Sequence, residues 1–346
     1  MNSLRRLLLS LSTILACQMA SATAVAASPP TQKATQVVPV SPDRPTSRAP
    51  VVSAVVLSPD GKLLAAGGDD HVLRIWSMDG MKLLHVMRGH TDWIRSVAFS
   101  PDGTILASAG DDRCVRLWDV TSGRLMRTLK EHELAIYTVR FTPDGKSIAA
   151  AGFEDKLQIY SIATGEVLKT LECPCHDMRG VAFSPDGSLL AAGGGNGTIR
   201  VWNMADGSVA KEWPAHRMRI RILVFSPDGS QLVSAGEDQV VRMWDARSGQ
   251  DIFSIQSRGA KIRALAFCGP KMLASGGSDN AIHLWDLATQ KEVERFVGHT
   301  GTVSSLVADV PHHVLVSGSF DTTIRLWNLQ RTGEESAQRK NGDTTL

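Results

Sequence analysis

The chain alternates short apolar runs with polar turns. Trp93–Phe99 (WIRSVAF) is a compact apolar run that predicts a strand, and Pro101-Asp102-Gly103 then turns the chain. Pro presets φ, Asp caps the turn locally and Gly takes a positive φ. Ile105–Ala109 predicts a second strand and Asp111-Asp112 a second polar turn. Cys114–Asp119 (CVRLWD) alternates apolar and polar positions, and Arg124–Leu129 (RLMRTL) reads as an outer, more polar strand. This unit repeats. Trp76, Trp118, Tyr160, Trp202, Trp244, Trp285 and Trp327 stand 42, 42, 42, 42, 41 and 42 residues apart. The turn SPDG recurs in register at Ser58, Ser100, Ser184 and Ser226, with TPDG at Thr142. A period in the low forties with four short strands per unit specifies an all-β fold, a seven-bladed β-propeller of four-stranded antiparallel blades over residues 51–329. Its inner strands are apolar on both sides because neighbouring blades cover both faces.

The repeat resembles the WD-repeat (Trp-Asp repeat) β-propeller family, and the leader described below suggests a bacterial exported type. The resemblance covers about four fifths of the chain. It rests on Gly89-His90 with Trp118-Asp119, Gly298-His299 with Trp327-Asn328, and the pairs Trp244-Asp245 and Trp285-Asp286. It implies a buried hydrogen-bonded tetrad in each regular blade. Three blades carry it whole: His90/Ser108/Asp112/Trp118, His216/Ser234/Asp238/Trp244 and His299/Ser317/Asp321/Trp327. A buried Trp N–H needs an acceptor, Ser accepts while donating onward, and Asp fixes the tautomer of the His. A Ser–His–Asp trio also invites a hydrolase reading, but recurrence with a Trp at the same offset makes these trios structural.

The other blades depart from this set. Blade one has Arg48, Ala66, Asp70 and Trp76; blade three has His132, Ala150, Glu154 and Tyr160; blade four has Pro174, Ala192, Asn196 and Trp202; blade six has Arg258 in place of the His. Blades three and four are therefore expected to be the softest part of the ring.

The two ends decide closure and address. The last unit stops after its third strand at Trp327–Leu329, so an outer strand must come from elsewhere. By resemblance an N-terminal strand fills that slot and removes an open sheet edge. Gln36–Val40 (QVVPV), inside the Pro-rich linker 28–50, is the candidate, although the repeat register would place the strand near Val40–Pro45, where two prolines oppose pairing. Residues 1–27 read as a signal peptide: Arg5 and Arg6, the apolar Leu7–Ala16, then small-x-small sites at Ala22-Thr23-Ala24 and Ala24-Val25-Ala26. The expected location is periplasmic or extracellular. Ile14-Leu15-Ala16-Cys17 resembles a lipobox, the alternative being a lipid anchor at Cys17, but Leu15 fits that pattern poorly. Residues 330–346 form a polar tail expected to be disordered.

The chain of 346 residues holds 37 Lys+Arg and 35 Asp+Glu, and removing the leader's two arginines leaves no net charge. There is no global field to hold nucleic acid or an anionic membrane, and no apolar run reaches the roughly 20 residues of a membrane span. A monomer with a protein or peptide partner is expected.

Two positions per repeat are expected to face the loops that carry ligands in the family. The position five residues after the tetrad His reads Ser53, Arg95, Tyr137, Arg179, Arg221, Arg263 and Ser304. The position before the tetrad acid reads Asp69, Asp111, Phe153, Gly195, Glu237, Ser278 and Phe320. Arg95–Asp111 and Arg221–Glu237 can pair within their blades, and such exposed pairs contribute little. Arg179 and Arg263 have no acid at the matching position, and Arg219 and Lys261 add charge beside Arg221 and Arg263. With Trp93, Tyr137 and Phe153 they suggest a basic sector on blades four to six and an aromatic sector on blades two and three, suited to an acidic, partly apolar peptide or protein loop.

Cys173-Pro174-Cys175-His176-Asp177-Met178 holds soft-metal ligand types, but a lone C-x-C-H lacks the second ligand pair of zinc sites. Structural or free thiols are expected there, ahead of a disulfide and then a metal site of Cys173, Cys175 and His176. No P-loop, dinucleotide fingerprint, H-E-x-x-H or G-x-S-x-G motif occurs. The expected function is a non-enzymatic binding platform without cofactor. The alternative is a small-ligand or metal-binding propeller using its channel or the Cys173–Met178 loop.

Overall fold

The computed structural model describes residues 28–42, 48–129, 132–257 and 259–330. The proposed signal peptide with Cys17, Arg258 and the tail beyond Gln330 lie outside the described residues. Seven antiparallel sheets follow one another in chain order, each running from an innermost to an outermost strand. Blade two is representative, with strands Ile94–Phe99, Ile105–Gly110, Val115–Asp119 and Leu125–Thr128. Its SPDG turn shows how local chemistry sets the connections. Ser100 Oγ accepts from the Ile105 N–H at 2.9 Å and donates to Asp102 at 2.5 Å, while Gly103 takes φ 72°. These bonds, led by the one from Ser100, hold the Asp102 carboxyl below its usual range.

The core is divided among the blade interfaces. Each of seven apolar clusters joins two neighbouring blades, from Leu73, Ile94 and Trp118 between blades one and two to Val52, Val316 and Ile324 between blades seven and one. Second strands present small side chains here, such as Ala65, Ala107, Ala149 and Ala191, all fully buried. Outer strands are far more exposed; Leu125–Thr128 is exposed throughout.

The N-terminal segment joins the ends. Gln36–Pro39 pairs antiparallel with Thr323–Asn328 and supplies the fourth strand of blade seven, four residues upstream of where the repeat register would put it. Pro39 sits at the strand's end, and Val40 N–H donates to the Thr322 carbonyl at 3.1 Å. The same segment also makes a second, unexpected pairing. Thr31–Gln32 pairs in parallel with Lys291–Phe296, so blade six has five strands. Across the seam, Ser305 Oγ accepts from the Val55 N–H at 3.1 Å and Ser304 Oγ donates to the Val52 carbonyl at 2.5 Å.

The three full tetrads form closed chains of hydrogen bonds. In blade two, Trp118 Nε1–H donates to Ser108 Oγ at 2.8 Å, Ser108 meets His90 Nε2 at 2.6 Å, and His90 Nδ1 meets Asp112 at 2.9 Å. Burial lowers the His90 pKa. Burial would raise that of Asp112, but bonds from His90 and Arg116 outweigh it and bring it to about 2. A neutral ring beside an ionised carboxylate fixes Nδ1–H as the donor and Nε2 as the acceptor of the Ser hydroxyl. Blades five and seven repeat the hydrogen bonds, with Ser234 and Ser317 bridging His216 to Trp244 and His299 to Trp327 at 2.7–2.9 Å.

Blade three corrects the expectation that it lacks such a network. Tyr160 is one aromatic ring shorter than Trp but carries a hydroxyl, and that hydroxyl meets His132 Nε2 directly at 2.8 Å, leaving no gap for a bridging Ser. His132 in turn faces Glu154 at 3.4 Å. Blade six keeps Trp285 Nε1–H on Ser275 at 2.8 Å, while Asp279 turns to His283 at 2.7 Å.

Candidate functional site

The column Ser53, Arg95, Tyr137, Arg179, Arg221, Arg263 and Ser304 lines the mouth of the central channel, a cavity of about 560 Å³. The residues lie on or just before the innermost strands, which border the axis. A backbone device aims them. In six blades the pairing of the first two strands slips by one residue, as between Ile94 and Ser96, and the residue skipped is the one in this column. Such bulges re-aim a side chain and terminate pairing next to functional sites. Blade four has no slip; Arg179 instead precedes its short strand Gly180–Phe183, with its N–H on the Gly193 carbonyl at 3.2 Å.

The aromatic residues of blades two and three meet arginines face to face, and the contact between Tyr137 and Arg179 joins them to the basic residues of blades four to six. The Arg95 guanidinium lies 4.3 Å from the Trp93 ring centroid and 5.4 Å from that of Tyr137. The Arg179 guanidinium lies 3.9 Å from the centroid of the same Tyr137 ring and 5.5 Å from that of Phe153. Phe153, 42 % exposed, meets Tyr137 edge-on at 5.3 Å. Planar guanidinium groups and aromatic faces attract through the ring quadrupole, more strongly when partly desolvated.

Carboxylates hold most of these arginines in place. Arg95 donates to both oxygens of Asp111 at 2.9 and 2.5 Å. Burial works against its charge, but the bonds to Asp111 prevail and raise its pKa. Arg221 donates to Glu237 at 2.9 Å, and Arg219 lies 3.2 Å from the same carboxylate. Burial pushes Glu237 up, yet Arg221 and Arg219 bring it below its usual range.

Arg179 is not without an acid, as the repeat position suggested. Asp177, two residues before it, accepts from its Nε and Nη2 at 2.8 and 2.9 Å and also pairs with Arg219 at 2.7 Å. The acid comes from the irregular loop rather than from the repeat position, which is Gly195. His176 and Asp177 both adopt left-handed backbone, φ 38° and 49°. Gly194 permits their close approach, since a Cβ there would collide with the His176 carbonyl.

The same loop corrects the cysteine reading. Cys173 and Cys175 are joined in a disulfide and buried, so neither thiolate is available to a metal. His176 turns away from them to solvent, 68 % exposed, where it pairs with Asp155. Among the described residues no group of three or more His, Cys, Asp or Glu could hold a metal ion.

Arg263 and Lys261 remain. Lys261 is exposed on the rim. Arg263 lies 5.3 Å from the ring centroid of Phe320 and has no carboxylate in ion-pairing reach among the described residues. Burial, then repulsion from Arg221 and Arg179, lowers its pKa. One lining residue was missed by sequence reasoning. Arg140 reaches the channel from blade three, donating to the Val139 carbonyl at 2.8 Å and Ser96 Oγ at 3.4 Å. Its column otherwise reads Val56, Ala98, Ala182, Val224, Ala266 and Val307, and a single Arg among aliphatic residues was the available signal.

Comparison with known proteins agrees with this architecture. The family model described as IFT122 first beta-propeller matches residues 51–225, just over half of the chain. The model described as WD domain, G-beta repeat matches residues 207–245, 250–286 and 290–328. The chain belongs to the WD-repeat β-propeller family. It is similar to U3 snoRNP-associated protein-like EMB2271 of Arabidopsis thaliana, 46% identical over 67 residues, 19% of this chain and 14% of the relative. It is also similar to Mitochondrial division protein 1 of Mycosarcoma maydis, 33% identical over 103 residues, covering 26% and 12%. A third relative is the WD repeat-containing protein 26 homolog of Arabidopsis thaliana, 33% identical over 69 residues, covering 20% and 12%. The chain thus matches only about an eighth of the length of these eukaryotic relatives, and they carry the family without the bacterial exported type. WD-repeat propellers generally act as protein-interaction scaffolds and are generally non-catalytic. No helix among the described residues is long and apolar enough to cross a membrane.

Proposed function

We propose that this propeller is a rigid, non-catalytic scaffold that docks an acidic, partly apolar segment of a partner protein over the channel mouth. One observation carries the reading: the stack Trp93–Arg95–Tyr137–Arg179, with exposed Phe153 against it. Aromatic and arginine side chains held in fixed orientations bind at little entropic cost, because their rotamers are set before the partner arrives. Cross-linking in the native extract followed by partner identification, then affinity measurement with Trp93→Ala and Phe153→Ala, tests it. A loss of about tenfold or more in each variant is expected for residues of this kind; unchanged affinity in both contradicts it.

The reading includes export. Arg5-Arg6, the apolar Leu7–Ala16 and the following small residues support it, and the Cys173–Cys175 disulfide suits an oxidising compartment. N-terminal sequencing of the mature protein tests this: a first residue of Val25 or Ala27 is expected, and an intact Met1 in a cytosolic fraction contradicts it.

A further inference from the structure

Three carboxylates, Asp111, Asp177 and Glu237, pair with arginines at the channel mouth, and each is already engaged. Arg263 and Arg140 pair with none of them. A guanidinium cannot shed its charge at neutral pH, so it must find an anion, a π-face or water. Arg263 has the Phe320 face on one side and opens to the channel on the other. Arg140 lies three residues further along its strand than Tyr137, about 10 Å deeper at the usual strand rise. Desolvation alone lowers its pKa. The channel thus presents charge at two depths inside apolar walls formed by residues such as Val56, Val224 and Leu265.

We infer that the channel mouth is an oxyanion seat: a carboxylate or phosphate group enters it and is held by Arg263, with Arg221 beside it, while Arg140 adds positive charge deeper in the channel. The group is compact relative to the 560 Å³ cavity, so it can enter while the chain bearing it stays on the rim. Walls of low polarity strengthen the attraction over that at an open surface. A bidentate arginine contact to such a group is short and charge-assisted. The inference rests on the scaffold reading in one respect, that a partner's side chain rather than a free solute carries the oxyanion.

The test is calorimetric titration of inorganic phosphate into the full-length protein, with Arg263→Gln, Arg140→Gln and, on the opposite end of the channel, Lys62→Gln. Saturable binding is expected, weakened about tenfold by Arg263→Gln, as for loss of a charge-assisted bidentate contact, and unchanged by Lys62→Gln. Arg140→Gln keeps a donor for the Val139 carbonyl and is expected to weaken binding less. Heat no greater than dilution overturns the seat, as does undiminished binding by an Arg263→Gln protein that melts like the native one. A second arm adds phosphate to the complex with the cross-linked partner. Displacement supports a partner-borne oxyanion. Phosphate binding through Arg263 without displacement, or with no partner found, keeps the seat and overturns the partner as its source.

Discussion

The guanidinium of Arg179 lies 3.9 Å from the ring centroid of Tyr137 while Asp177 grips its edge with two hydrogen bonds. The aromatic face and the carboxylate together leave Arg179 one orientation. Tyr137→Ala should lower stability by about 0.5–2 kcal/mol and weaken partner binding, whereas Tyr137→Phe keeps the ring and should change neither appreciably. Urea unfolding and an affinity measurement on both variants check this. Equal effects of Ala and Phe would show that the hydroxyl, not the ring face, matters.

The tetrads are structural, and their loss should register in stability alone. Ser234→Ala leaves the Trp244 N–H and His216 Nε2 without their shared partner. A cost of about 1–3 kcal/mol is expected for buried groups left unsatisfied. Tyr160→Phe in blade three should cost a comparable amount, since it strands His132. A neutral result for Tyr160→Phe would restore the view that blade three is soft.

Blade six carries a pH dependence. Burial disfavours the charged form of His283, but its bonds to Asp279 and Glu292 prevail and raise its pKa from 6.5 to about 9. Arg295 grips Glu292 from the other side. The folded state therefore keeps a proton that the unfolded chain releases near pH 6.5. The stabilisation is complete below pH 6.5 and is lost as pH rises through 9, on the order of 3 kcal/mol in all. Melting temperature measured across that window should fall, and His283→Gln should flatten the fall.

Residues 28–40 hold two blades at once, through Thr31–Gln32 on blade six and Gln36–Pro39 on blade seven. Their deletion should open the edge of blade seven and lower the melting temperature markedly. An unchanged melting curve would contradict their role in closure.

What was legible in the sequence follows the repeat. The phase of Trp76 to Trp327 placed blades, turns and tetrads because every copy meets the same neighbours. What was not legible lies where a copy departs from its siblings. Asp177 reaches Arg179 from a loop without repeat register, the cysteines pair because that loop folds back on itself, and Tyr160 replaces two residues with one hydroxyl. The parallel strand Thr31–Gln32 pairs through its backbone, so two residues of side chain pattern could not announce it. The channel column was legible as a repeat position, but its aim was not, because one skipped residue per inner strand decides where it points.

The proposed docking of a partner protein centres on the channel mouth. It is tested most directly by the affinity of the identified partner for the native protein, Arg263→Glu and Lys62→Glu, the last on the opposite face. Charge reversal beside Phe320 is expected to weaken binding by at least about tenfold, while Lys62→Glu stays within about twofold, as for a rim charge outside the interface. Equal affinity of Arg263→Glu and the native protein, with both folded, would contradict the account.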